Sequence, residues 1–330
     1  MSNTKPVVIS CGEPAGVGPE VAAAAWLAVR DTVPLVWVGD PRHLPEGTIY
    51  QKISSVPEAA GISRSALPVL EHAFDAPSIA GQPDARNAQG VIDVIMRCVD
   101  LVTAGDAAAL CTAPIHKKAL MDGAGFAYPG HTEFLQALAR DEGRAVMMIA
   151  SDALKVVPAT IHIALEDVPK ALTPDVLRDT IRITNDEMKH RFGVPTPRIA
   201  VAGLNPHAGE GGAMGRQELE WIDAVLDEMR GEGITLLGPL PADTMFHARA
   251  RQTYDVAIGM YHDQVLIPVK TLDFDRGVNV TLGLPFVRTS PDHGTAFDIA
   301  GQGIANPQSM IEAIRLAARM AGTGFGANTR

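Results

Sequence analysis

Three histidines stand in one repeated setting, each a few residues after a short apolar run: Val156 to His162 (VVPATIH), Ile199 to His207 (IAVAGLNPH) and Val256 to His262 (VAIGMYH). Neutral imidazole is the commonest protein ligand for a divalent metal, and ligands in α/β proteins sit where buried strands end. Taken singly, a histidine after a strand is more often a hydrogen-bonded polar residue or a helix cap. The intervals of 45 and 55 residues, however, each have room for a strand–helix–strand crossover, so neighbouring strands could bring the three imidazoles together. We read His162, His207 and His262 as one metal site. Three imidazoles with no cysteine partner suit Zn²⁺, Co²⁺ or Mn²⁺, and suit Mg²⁺ less well.

Two carboxylates accompany these histidines. Asp263 follows His262 directly and Asp243 lies in GPLPADTMF; either could transfer a proton or orient an imidazole. The loop Gly203 to Gly215 places five glycines around His207 and Glu210, a composition that suggests backbone held against a ligand. A second glycine-rich turn, CGEPAGVGPE (Cys11 to Glu20), fits neither GxGxxG nor a P-loop; it reads as a structural turn or as an active-site loop. A dinucleotide would therefore bind elsewhere, across loops that include Gly209, Gly211, Gly212 and Gly215. In PGHTEF, Thr132 is placed to cap a helix running to about Asp141, which puts His131 at a helix N-terminus that favours an anion. Lys117 and Lys118 open another helix as a solvated first turn.

Strands and helices must alternate to hold these groups. Pro6–Ser10, Pro34–Gly39, Ala107–Thr112, Arg198–Gly203, Ile234–Leu237 and Val256–Met260 read as strands, and Ala145–Ala150 with Lys155–Thr160 as a strand pair. Helices are predicted over 19–30, 82–104, 217–232 and 307–321, and another to about Phe192 opens on Thr173-Pro174-Asp175, a cap followed by proline and an early acid. The pattern predicts an α/β protein with a mostly parallel sheet; strands clustered between Val256 and Ile299 predict an antiparallel portion.

At 330 residues the chain exceeds one ordinary hydrophobic core, so two α/β lobes with a cleft are expected. Hydrophobic residues at 46% and charged residues at 20% exclude a disordered chain. A net charge of −10 argues against nucleic acid or an acidic membrane as partner, and any anionic ligand must meet local cations. The start MSNTKPVVIS lacks a signal-peptide pattern and no run has the length of a membrane span, so a cytoplasmic protein is expected. Cys11, Cys98 and Cys111, without CxxC spacing, read as buried thiols.

In this order, GEPAGVGPE, PGHTEF, NPHAGEGG, GPLPADT, MYHDQ and GVNVTLGLPFVRTSPDHGTAFDIAG make the chain resemble the 4-hydroxythreonine-4-phosphate dehydrogenase family of pyridoxal phosphate biosynthesis, from about Val7 to Ala321. The resemblance implies a two-domain fold like that of the isocitrate and isopropylmalate dehydrogenases, divided here as 1–130 with 285–330 and 131–284. It implies a homodimer with active sites near the subunit interface. It also implies metal binding by His162, His207 and His262, and substrate contacts from His131, Thr132, Lys270, Asn279 and Arg288. The last five are what a phosphate dianion needs: a bidentate guanidinium, an ammonium and neutral donors. Ala213 and Ala164 depart from the family pattern, where His and Pro are frequent; neither is a proposed ligand.

The activity so implied is the NAD- or NADP-dependent, metal-dependent oxidation of 4-phosphonooxy-L-threonine to 2-amino-3-oxo-4-phosphonooxybutanoate, which decarboxylates to 3-amino-2-oxopropyl phosphate. Relatives acting on a four-carbon sugar-acid phosphate or on a dihydrodiol of terephthalate are the alternatives within the family. An acyl or phosphoryl transferase of related fold, and a non-enzymatic metal- or phosphate-binding protein, are the alternatives outside it.

Overall fold

Twelve strands alternate with helices: β1 (Val7–Ser10), β2 (Leu35–Gly39), β3 (Tyr50–Ile53), β4 (Leu67–Glu71), β5 (Ala109–Thr112), β6 (Val146–Ala150), β7 (Lys155–Pro158), β8 (Arg198–Ala202), β9 (Thr235–Leu240), β10 (Val256–Gly259), β11 (Val278–Leu282) and β12 (Arg288–Pro291). The structure, a computed structural model, describes residues 5–139 and 143–324. The chain divides into two units, Met1–Ala145 with Leu284–Arg330, and Val146–Gly283. The first division falls after Ala145 rather than after residue 130, because the helix His131–Ala139 packs on the helix Ala88–Thr103 of the first unit. That helix begins at His131, two residues before the start that a cap at Thr132 would give, so Thr132 lies within its first turn; the expected end at Asp141 lies outside the described residues.

In the first unit the strand order is β3-β4-β2-β1-β5-β12, parallel throughout. Parallel strands are covered on both faces, so they read as continuous apolar runs: β1 (VVIS) and β2 (LVWVG) are buried at every position. The helix Ala88–Thr103 turns Val91, Val94, Ile95 and Cys98 onto β1, β2 and β5. The closing helix Gln308–Ala321 lies against β5, β12 and β1, and Gly18–Val29 packs on it. In the turn after β1, a Cβ at Gly12 would come within 2.4 Å of the Pro114 carbonyl oxygen. That glycine serves the close approach of the chain to itself.

In the second unit the order is β11-β6-β7-β10-β8-β9. β7, β10, β8 and β9 run parallel, while β6 is antiparallel to both β7 and β11. The antiparallel portion thus centres on β6 rather than on the strands after Val256. The connection from β6 to β7 is a four-residue turn closed by Ser151 N–H donating to the Leu154 carbonyl at 3.0 Å, too short for a parallel crossover. Val156, Ala200, Ala257, Met147 and Ile149 form a core with Val265, Leu266 and Val269, the inner face of the helix His262–Leu272. The helix Pro174–His190 starts as its sequence predicts, Thr173 Oγ1 accepting from Val176 N–H at 3.3 Å. Among the described residues no helix is long and apolar enough to cross a membrane.

Candidate active site

The three histidines leave three adjacent parallel strands. β10 lies between β7 and β8, with Ala257 level with Val156 on one side and with Ala200 on the other. Strands in register end at the same level, so the segments after Pro158, Ala202 and Gly259 emerge side by side. His162 and His262 come together, their ring centroids 5.5 Å apart and the rings tilted by 42°. With Thr160, Tyr261 and Asp263 they line a pocket of about 280 Å³.

Asp263 Oδ1 stands 2.7 Å from His262 Nδ1. An ionised carboxylate only accepts, so this contact keeps the proton on Nδ1 and leaves the Nε2 lone pair for a ligand. Two neighbouring imidazoles, one with its tautomer fixed in this way, are a donor set that fits a divalent metal.

His207 is placed differently. It is exposed and opens six successive residues of positive φ, His207 (φ 51°), Ala208, Gly209, Glu210, Gly211 and Gly212. It does not line the pocket of His162 and His262. Among the described residues no three His, Cys, Asp or Glu side chains group closely enough to hold a metal ion. A single chain therefore brings two of the three histidines together.

The glycines of this loop make room for the protein itself. A Cβ at Gly209 would come within 2.8 Å of Glu218 Oε2, and one at Gly215 within 2.2 Å of the Asn205 side chain. Beside these two, the space that a side chain would take is filled by the protein. Gly212 is crowded by Leu219, and only at Gly211 of the four would a side chain meet nothing within 4 Å. Asp243 is exposed on the short helix Ala242–Met245 and does not line the histidine pocket, whereas Asp263 does.

In the first unit, Arg288 opens β12 and is buried. Its Nη2 and Nε donate to Thr112 Oγ1 at 2.7 and 3.2 Å, and burial lowers its pKa to about 10, so it stays a cation. His131 begins the helix His131–Ala139 with Thr132 beside it. Burial, and then the charge of Arg288, hold the His131 pKa well below its ordinary value; its Nε2 is buried with no hydrogen-bond partner among the described residues. A neutral imidazole, a hydroxyl and a guanidinium beside a helix N-terminus are the donor set an anion requires, and Glu133 is the carboxylate of the same first turn.

Lys270 lies in the second unit on the helix His262–Leu272, its Nζ 5.7 Å from the Phe274 ring centroid. Asn279, on β11 opposite Ile149, has a buried Oδ1 with no partner among the described residues. His43 at Nδ1 has the same property, and so do two more imidazoles that the sequence reading passed over, His116 at Nδ1 and His293 at Nε2. Their signal was present: His293 stands in the DHGTA motif, and His116 directly precedes the lysine pair.

The model of the family "Pyridoxal phosphate biosynthetic protein PdxA" matches residues 31–317. The chain is 69% identical over 318 residues to a 4-hydroxythreonine-4-phosphate dehydrogenase of Roseobacter denitrificans, covering 96% of this chain and 98% of that one. The crystal structure of a 4-hydroxythreonine-4-phosphate dehydrogenase from Klebsiella pneumoniae superposes with TM-score 0.87 at 36% identity, over 96% of this chain and 99% of that one. A terephthalate 1,2-cis-dihydrodiol dehydrogenase from Burkholderia xenovorans superposes with TM-score 0.68 at 26% identity, over 98% and 99%. A β-decarboxylating dehydrogenase from Thermococcus kodakarensis, at 16% identity and TM-score 0.51 over 97% and 84%, shares the fold alone.

Proposed function

The chain belongs to the pyridoxal phosphate biosynthetic protein PdxA family, and we infer from that membership that it oxidises 4-phosphonooxy-L-threonine to 2-amino-3-oxo-4-phosphonooxybutanoate with NAD or NADP as acceptor. The observation that carries this reading is 69% identity along nearly the whole chain to a dehydrogenase of that name. The buried Arg288 with His131 and Thr132 supports an anionic substrate, and the preference for the phosphorylated one over the dicarboxylate dihydrodiol of terephthalate rests on the relatives' identity.

His162 and His262, with His207 as third donor, would hold a divalent ion, Zn²⁺, Co²⁺ or Mn²⁺ before Mg²⁺; when bound it would supply Lewis acidity to the C3 hydroxyl, easing loss of the hydroxyl proton as the hydride passes from C3 to the nicotinamide. Asp263 keeps the His262 tautomer and ring orientation. Arg288 takes the phosphate as a charged fork, Thr132 and neutral His131 add one donor each, and Lys270 and Asn279 complete the polar contacts to the substrate. Asp243, exposed and outside the histidine pocket of its own chain, is the second candidate for proton transfer. The β-keto acid formed loses carbon dioxide to give 3-amino-2-oxopropyl phosphate.

The working form is proposed to be a homodimer that shares its sites. Two of three histidines meet within one chain, and the second unit exposes Ile163, Leu165, Ile267 and Phe274, apolar side chains that a partner would cover. A cytoplasmic location is supported by three free, buried cysteines and by the demand for a nicotinamide coenzyme.

The test is the nicotinamide absorbance with 4-phosphonooxy-L-threonine, NAD or NADP and each metal in turn. Reduced nicotinamide formed from that substrate is expected. None from it, but some from the terephthalate dihydrodiol, would overturn the substrate assignment.

A further inference from the structure

We propose that Thr160 and Gln264 are positioning residues that brace the exits of β7, β10 and β8 against one another and so aim the histidines those exits carry. The inference rests on the metal site proposed above and names the side chains that fix its frame.

The brace is built on one peptide. The parallel ladder on β10 ends at Gly259, so the N–H and C=O of Met260 have no strand to pair with, and buried backbone groups must find other partners. Side chains take both. Thr160 Oγ1, two residues before His162, donates to the Met260 carbonyl at 2.7 Å. Gln264 Oε1, two residues after His262, accepts from the Met260 N–H at 2.6 Å.

The other end of the same amide continues across the sheet. Gln264 Nε2 donates to the Gly203 carbonyl at 2.7 Å, the first residue after β8 on the way to His207. The amide is held close to the strand, since a Cβ at Gly259 would come within 3.1 Å of Gln264 Oε1 and 2.4 Å of Val265 Cγ1. Beyond Gly203 the loop is anchored again: buried Glu218 accepts from Asn205 N–H and from Asn205 Nδ2, both at 2.8 Å. A displacement of Gly203 would be passed on to His207 rather than absorbed before it.

None of these side chains is a proposed ligand. Each bond lies within two residues of His162 or His262, or at the root of the His207 loop, so a shift of a few tenths of an ångström in any of them redirects an imidazole. Groups that orient metal ligands typically change affinity by about 10- to 100-fold when lost.

The experiment uses the full-length protein and Co²⁺, with affinity read by competition against a chromophoric chelator and geometry by the visible Co²⁺ spectrum. Gln264→Glu keeps Oε1 and turns the donor facing Gly203 into an acceptor; Thr160→Val removes the hydroxyl at constant shape. Both are expected to weaken Co²⁺ by about 10- to 100-fold and to change its spectrum. Leu177→Ala, a core change on the helix Pro174–His190, is expected to lower the melting temperature and leave both readouts unchanged. Thr160→Ser should restore what Thr160→Val loses, and this pair decides the matter alone if Gln264→Glu fails to fold. Unaltered Co²⁺ affinity and spectrum in Thr160→Val and in folded Gln264→Glu would overturn the brace. His262→Ala, measured in parallel, separates the two failures: if it too binds Co²⁺ normally, the metal site itself is wrong.

Discussion

Asp263 Oδ1 meets His262 Nδ1 at 2.7 Å, and this carboxylate faces the same pocket as the two paired imidazoles. If its task is to hold the ring and its tautomer, Asp263→Ala should weaken metal binding by about 10- to 100-fold. Asp263→Asn, whose amide oxygen still accepts from Nδ1, should retain most of it. Metal content after dialysis against a buffered ion checks both. An Asp263→Asn enzyme that keeps its metal and loses turnover would assign Asp263 a proton-transfer role instead.

Arg288 is the buried cation of the first unit. Arg288→Ala is expected to cost about 1.5–3 kcal/mol of substrate binding, seen mostly as raised KM. Arg288→Lys should recover little of it, because a point charge does not replace the fork. Steady-state kinetics with the phosphorylated substrate decide, with circular dichroism confirming that each variant folds. An unchanged KM would remove the phosphate from this site.

His131 should make the protein acid-sensitive. Its native pKa lies well below the ordinary value of 6.5, so as pH falls below that value the unfolded chain binds a proton that the native state refuses. Stability is thus present at neutral pH and lost on acidification. His43, also depressed by burial, adds to the same trend, so the comparison must be with a variant. His131→Gln should lose less stability between about pH 7.5 and about pH 5.5 than the parent, as read from urea midpoints. Equal losses would show that the ring is protonated in the native protein.

A shared site predicts complementation. His207→Ala and His262→Ala are each expected to be inactive. If a site takes these two histidines from different subunits, a mixed dimer keeps one intact site, and equal mixing after subunit exchange should recover roughly a quarter of the parent activity. A mixture as dead as its components would place both histidines in the same site of one chain.

The parts of this architecture that were legible in the sequence are those governed by local burial. β1, β2, β5, β8 and β10 are apolar runs broken only at their ends by Ser10, Thr112 and Arg198, and the helix Pro174–His190 carries its own start signal. β3 (YQKI), an edge strand exposed at three of four positions, offers no apolar pattern to read. The antiparallel pairing of β6 with β11 depends on which distant strand arrives beside it. Likewise the meeting of His162 and His262 follows from strand neighbours, whereas the direction of His207 depends on a left-handed turn that periodicity does not encode. At the glycines 209 and 215 the sequence shows that room is left, not that Glu218 and Asn205 stand beside it.

β10 is the last of its three strands to be synthesised, yet it lies between the other two. On a growing chain, β7 and β8 would have to stand about 10 Å apart around an open slot, or pair wrongly, until residues 256–259 arrive. An ion encountering the nascent polypeptide would find His162 and His207 with no common frame and no His262. If these histidines hold the ion proposed for them, loading belongs after the threading of that strand, and the order of synthesis, alongside affinity, would then gate when the metal is acquired.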